Sequence, residues 1–142
     1  MLIRSVPRNA IYRKKTSAPL VSVIIPVLHD AVPLERLLSS LGSSERFEVI
    51  VANGNRADRS LAPLQRRFPG VRWIESQPGR ARQMNDTARL ASGRWLFFVH
   101  ADARLDPDWL TEFVSLEATP TIGGAFRFCL PSPAIWARFI EW

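Results

Sequence analysis

Two apolar patterns alternate along this chain of 142 residues, the short unbroken run and the spacing of three and four. Val21-Ser-Val-Ile-Ile-Pro-Val27 is a nearly continuous β-branched run and predicts a first strand. Pro26 is expected to close it, because proline cannot donate to a central ladder. Leu34, Leu37, Leu38 and Leu41 share one helical face, which predicts a helix from Pro33 to about Leu41, stopped by Gly42. Phe47 to Ala52 is a second strand, and Asn53-Gly54-Asn55 after it is a turn suited to positive φ. Leu61, Leu64 and Phe68 predict a helix over Arg59 to Phe68, broken by Pro69-Gly70 before a short strand at Val71 to Ile74.

The centre of the chain runs from Gly79 to Leu105. Gly79 and Gly93 bracket a predicted helix whose Ala81, Met84, Ala88 and Ala91 form a narrow apolar face, with Gly93 as its stop. Trp95 to Val99 reads as a strand covered on both faces, and His100 and Asp102 follow it directly. Asp106-Pro107 begins a helix with Trp109, Leu110, Phe113 and Leu116 inward. Ile122 to Leu130 is a further strand, entered through Gly123-Gly124, and Ile135, Trp136, Phe139 and Ile140 place a helical stripe in the final stretch. Strands alternating with helices at this spacing predict an α/β fold with a right-handed parallel sheet.

Composition narrows the class. With 46% hydrophobic and 23% charged residues the chain is that of an ordinary globular domain, and no apolar run approaches the roughly 20 residues of a membrane span. Cys129 stands alone, so no internal disulfide forms. The net charge of +6 is concentrated at one end. Arg4, Arg8, Arg13, Lys14 and Lys15 lie in residues 1–17, and every acidic residue lies beyond them. This leader is read either as a solvated, disordered segment or as one drawn to an anionic surface. No aromatic residue recurs through it as nucleic-acid binding requires, Tyr12 standing alone, and no nucleic acid is expected as a partner.

Neither a Gly-rich phosphate loop nor a Cys/His cluster of zinc spacing is present, and no nucleophile elbow accompanies the two histidines. Polar residues instead gather at three strand ends, at Asp30, at Asn53 to Asn55 and at His100/Asp102. Ligands of open parallel sheets bind beyond those ends. Asp102 is placed either to coordinate a hard divalent cation or to act as a loop or cap carboxylate. His100 has the same choice between ligand and hydrogen-bonding histidine. Arg80 and Arg82 open a helix whose N-terminus favours anions, and a solvated basic face is the other reading.

The ordered pattern Val21-Ser-Val-Ile-Ile-Pro-Val-Leu, Glu48-Val-Ile-Val, Gly79-Arg-Ala-Arg-Gln-Met-Asn85 and Phe97-Phe-Val-His-Ala-Asp102 resembles a family 2 glycosyltransferase of the GT-A fold. It is most similar to a bacterial subgroup with a Gly-Arg-Ala-x-Gln-Met-Asn helix and a His-Ala-Asp motif. The resemblance covers about residues 18–130. It implies the nucleotide-binding, Rossmann-like half of a GT-A domain, with a parallel or mixed sheet flanked by helices. It also implies transfer of a sugar from a nucleotide-diphosphate donor to an unidentified acceptor, assisted by Mn²⁺ or Mg²⁺. Carried onto this chain, it assigns substrate binding to Pro26, Asp30, Asn53, Gly54, Arg80, Asn85 and Asp102. Asp102 and His100 become the metal ligands, His100 standing where many relatives have a first Asp. A cytoplasmic protein is expected, with peripheral contact at the inner face of the membrane left open.

Two departures from the family pattern shape the expectation. The second strand ends Ala52-Asn53-Gly54-Asn55, without the family's carboxylate, and Asp58 lies further along. The family's base belongs to a later acidic motif, and the chain ends at Trp142 before one occurs, so no catalytic residue is assigned. The chain is thus divided into a basic leader (1–17), a nucleotide-sugar-binding region (18–130) and the start of an amphipathic helix of an incomplete domain (131–142). An enzyme inefficient on its own is expected. The alternative is a truncated or inactive relative that serves as a nucleotide-binding or interaction module.

Overall fold

The computed structural model describes residues 2–4 and 18–126. Cys129, the C-terminal stripe and most of the basic leader lie outside them, as does the later part of the strand expected from Ile122.

Four parallel strands form the heart of a six-stranded sheet: β2 (Val21–Val27), β3 (Phe47–Asn53), β4 (Arg72–Glu75) and β5 (Trp95–Phe98). β1 (Leu2–Arg4) and β6 (Gly123–Gly124) extend it antiparallel, in the order β4-β3-β2-β5-β1-β6. The three residues of β1 fall within the leader expected to be disordered, and here they pair with β5. No apolar alternation marks so short a strand, and its pairing is supplied by the sheet edge already present.

Every residue of β2 is buried, as its β-branched run requires of a central strand. The strand continues one residue past Pro26. Backbone direction alternates along a strand, and Ile24 presents its carbonyl to β5, where it accepts the Val99 amide at 3.0 Å. Pro26 faces the same side, beyond the last pair, Ile24 with Phe98. Its missing donor therefore costs the ladder nothing.

Helix α1 (Ala31–Leu41) starts two residues before Pro33 and buries the four expected leucines. They join Val21, Val23, Ile25 and Val27 of β2 in one apolar core, and each contributes about 1.5–3 kcal/mol. A 3₁₀ turn (Arg59–Leu61) and α2 (Ala62–Arg67) replace the single helix expected there. Helix α4 (Trp109–Leu116) begins after Asp106-Pro107 and adds Trp109 and Phe113 to the same core, where Phe97 meets both rings.

Helix α3 (Arg80–Ala88) packs on β2 and β3 and shares no residue with that core. Its inward face overturns the expectation. Gln83 and Thr87 are buried, whereas Ala81 is exposed and Met84, Ala88 and Ala91 are half-buried. The helix ends at Ala88, not at Gly93. Gly93 is needed for space, since a Cβ there would lie 2.5 Å from the Ser22 amide nitrogen.

The order of strands fixes where a crevice opens. From β2 the chain steps through α1 to β3 and on to β4, then returns through α3 to β5 on the opposite side of β2. The direction reverses between β2 and β5, so their carboxyl ends flank the switch point of the sheet.

Candidate functional site at the strand ends

Three loops leave the sheet along this edge. Leu28, His29 and Asp30 follow β2, all exposed. Asp30 precedes α1 and gives it no side-chain cap; its Oδ2 accepts the Leu28 amide at 3.4 Å.

The turn after β3 is built by its own side chains. Asn53 is buried, and its Oδ1 accepts the Asn55 amide at 2.9 Å while its Nδ2 donates to the Asn55 carbonyl at 3.0 Å. Gly54 does not adopt the positive φ expected of it. Its missing side chain makes room instead, because a Cβ would sit 3.0 Å from the carboxamide of Gln83. That carboxamide donates to the carbonyls of Val27 at 2.7 Å and Ala52 at 2.8 Å. The turn continues to Asp58, whose carboxylate accepts the Ser60 amide at 2.8 Å and lies 3.7 Å from His29 Nδ1. Ser60, through side chain and amide, and then the His29 imidazole hold Asp58 below the usual carboxylate range. A carboxylate distant in the sequence thus joins the β3 turn to the β2 loop.

Past β5, His100 and Asp102 are exposed on a turn closed by the Ala103 amide donating to the His100 carbonyl at 3.0 Å. Asp102 borders a shallow cavity of about 360 Å³ with Pro33 and Arg36 of α1 and Arg104. Its carboxylate has no hydrogen-bond or ion-pair partner among the described residues. An unpaired, exposed oxygen donor fits a hard divalent cation, which needs only one or two carboxylates when phosphate and water complete its shell. No three His, Cys, Asp or Glu side chains converge as a ready-made metal cluster among the described residues.

Arg80 and Asn85 are exposed on α3, Arg80 in its first turn. The structure thus brings Asp30, Asn53, Gly54, His100 and Asp102 to one edge, with Pro26 buried inside β2. A larger cavity of about 480 Å³, bounded by Asp106, Trp109, Glu112 and Phe126, takes in none of them. Gln83 escaped the sequence reading, and Asp58 was noted there only as a carboxylate displaced from the family's position. Gln83 lies within the quoted helix motif and, with Thr87, has the spacing of one helical face, which was the signal available.

Comparison with known proteins bears on the family and the fold. The chain is 37% identical over 105 residues to an uncharacterised glycosyltransferase of Mycobacterium tuberculosis, covering 70% of this chain and 40% of that protein. A second, uncharacterised protein of M. tuberculosis is 33% identical over 114 residues, covering 76% and 35%. The chain therefore spans less than half the length of these relatives. Among solved structures, residues 1–349 of Staphylococcus aureus TarS in complex with UDP-GlcNAc align with a TM-score of 0.55 and 24% identity, over 68% of this chain and 30% of that fragment. Glucosyl-3-phosphoglycerate synthase of M. tuberculosis, bound to Mn²⁺, UDP and glucosyl-3-phosphoglycerate, aligns with a TM-score of 0.55 and 17% identity, over 80% and 48%. Both share the α/β fold. The model of glycosyl transferase family 2 matches residues 22–138, and the chain belongs to that family.

Proposed function

We propose that the strand edge binds the nucleoside diphosphate of a nucleotide-sugar donor and serves transfer of the sugar to an acceptor. The observation that carries this reading is the placement of His100 and Asp102 across the β2/β5 switch point from the Leu28–Asp30 loop. Family membership and the UDP complexes of the two structural neighbours support it and favour a uridine nucleotide.

Asp102, with His100 beside it, would hold Mn²⁺ or Mg²⁺. A cation so held neutralises charge on the departing diphosphate. Arg80 adds a second positive charge where the α3 dipole already favours an anion. The Asn53–Asn55 turn and the His29–Asp58 pair shape the nucleoside end. Strands lie about 4.8 Å apart, so the β3 turn and the β5 turn are separated by about 10 Å, room for a nucleotide laid across β2.

Calorimetric titration with UDP, with and without Mn²⁺, tests the reading. Binding should need the metal, and Asp102→Ala should remove that dependence. Equal binding by the wild-type chain with and without Mn²⁺ would remove Asp102 from the metal role. No binding under either condition would overturn the donor reading.

A further inference from the structure

The residue that fastens this edge together is polar, buried and on the helix rather than on a strand. Gln83 is 3% exposed, and its Nε2 lies between two carbonyls, 2.7 Å from Val27 and 2.8 Å from Ala52. Of the two ends of the carboxamide only the NH₂ can donate, and it can do so to two acceptors at once, so the orientation of the group is fixed by its surroundings. The Val27 carbonyl also accepts the Gly54 amide at 2.9 Å, which makes it the last rung between β2 and β3. The carboxamide therefore lies across that rung. Gly54 leaves the carboxamide space, and one turn further along α3 the buried Thr87 hydroxyl donates to the main-chain carbonyl of Gln83 at 2.6 Å.

Three parts of the candidate site radiate from this junction. The Leu28–Asp30 loop begins one residue after Val27. The Asn53–Asn55 turn begins one residue after Ala52. Arg80 stands three residues before Gln83, in the first turn of α3. An apolar residue at position 83 could fill the volume, but it could not bind the helix to the two strand ends. Both carbonyls bonded by Gln83 already face the β2/β3 ladder, so the amide adds placement to a sheet that pairs without it.

We propose that Gln83 is the positioning residue of the donor site. Its carboxamide sets the β2 loop, the β3 turn and the first turn of α3 in one fixed arrangement before the nucleotide arrives. This inference rests on the donor reading above and concerns a residue that would not itself touch the ligand.

The test is UDP affinity in the presence of Mn²⁺ for Gln83→Met, Gln83→Glu and the wild-type chain, each first shown to be folded by circular dichroism. Gln83→Met keeps the length and loses the donors; affinity should fall about 10–100-fold, the usual effect of losing a residue that orients others. Gln83→Glu sets a carboxylate against two carbonyl oxygens, so it binds in place only when protonated. Its UDP affinity should recover as pH is lowered, a profile absent from Gln83→Met. Should Gln83→Met fail to fold, Gly54→Ala displaces the same carboxamide by a single methyl group and should weaken UDP in the same direction. Wild-type binding that is unchanged in these variants overturns the positioning role and leaves the donor reading intact. A wild-type chain that binds no UDP overturns both, since nothing is then positioned.

Discussion

The Ser22 hydroxyl donates to Glu48 Oε1 at 2.5 Å, linking residues that face each other across β2 and β3. The same carboxylate oxygen accepts the Ser92 amide at 2.6 Å and its hydroxyl at 2.8 Å, and Ser22 Oγ accepts the Gly93 amide at 2.8 Å. Partial burial by itself would raise the Glu48 carboxyl; Ser22, Ser92 and Gly93 outweigh it and hold the group below its ordinary value. A carboxylate depressed in this way contributes stability above its unfolded value of about 4.3, and the contribution is lost as pH falls through the folded value. Glu48→Gln should therefore lower the urea midpoint at about pH 7 and leave it nearly unchanged at about pH 2. An equal loss at both would show that geometry, not charge, makes the bond.

Gly93 lets the segment before β5 pass close to β2. Its absent Cβ would lie 2.5 Å from the Ser22 nitrogen and 2.6 Å from Ser22 Oγ. Backbone cannot give way as a flexible side chain can. Gly93→Ala should cost about 1–3 kcal/mol, the range for overpacking, and should also disturb the Glu48 bonds. The check is the urea midpoint of the variant; Gly70→Ala, where a Cβ meets nothing within 4 Å, is the control.

His100 offers nitrogen where a hard cation prefers oxygen. If it shares the metal with Asp102, His100→Asp should tighten Mn²⁺ and strengthen metal-dependent UDP binding. Metal titration with and without UDP measures this directly. Unchanged Mn²⁺ affinity would leave Asp102 as the only protein ligand of the two.

Phe113 is fully buried, and its ring lies 5.2 Å from Phe97, 5.9 Å from Trp109 and 6.3 Å from Trp95. Phe113→Ala should destabilise the fold by about 3–5 kcal/mol. Exposed Val114, beside it on α4, should tolerate Ala with a change within about 0.5 kcal/mol. Chemical denaturation of the two variants separates core from surface on one helix.

Sequence reasoning was enough to place the four parallel strands and the main helices, and the face each one buries wherever that face is apolar. Leu34, Leu37, Leu38 and Leu41 all point inward, as do Leu61, Leu64, Trp109 and Phe113, because burying apolar area is the same choice in every tertiary context. The motifs from Val21 to Asp102 also identified the family and brought Asp30, Asn53 and His100/Asp102 to strand ends. What failed was the reading of α3. A period counts apolar residues, but this helix rests over the last rung of two strands, where a donor is worth more than a methyl group. Gln83 won that face and Ala81 lost it.

Only the tertiary structure decided the remaining relations, because each joins residues far apart in the chain. Asp58 reaches His29 after the chain has gone through α1 and β3. Glu48 meets Ser92 across 44 positions, and Gln83 meets Val27 across 56. Gly54 and Gly93 read locally as a turn and a stop, yet both are glycine because another segment occupies the space of a side chain. The strand order belongs to the same class. Periodicity announces a parallel sheet, and only the packing of α1 and α3 on different parts of it sets the reversal between β2 and β5, and with it the place of the site.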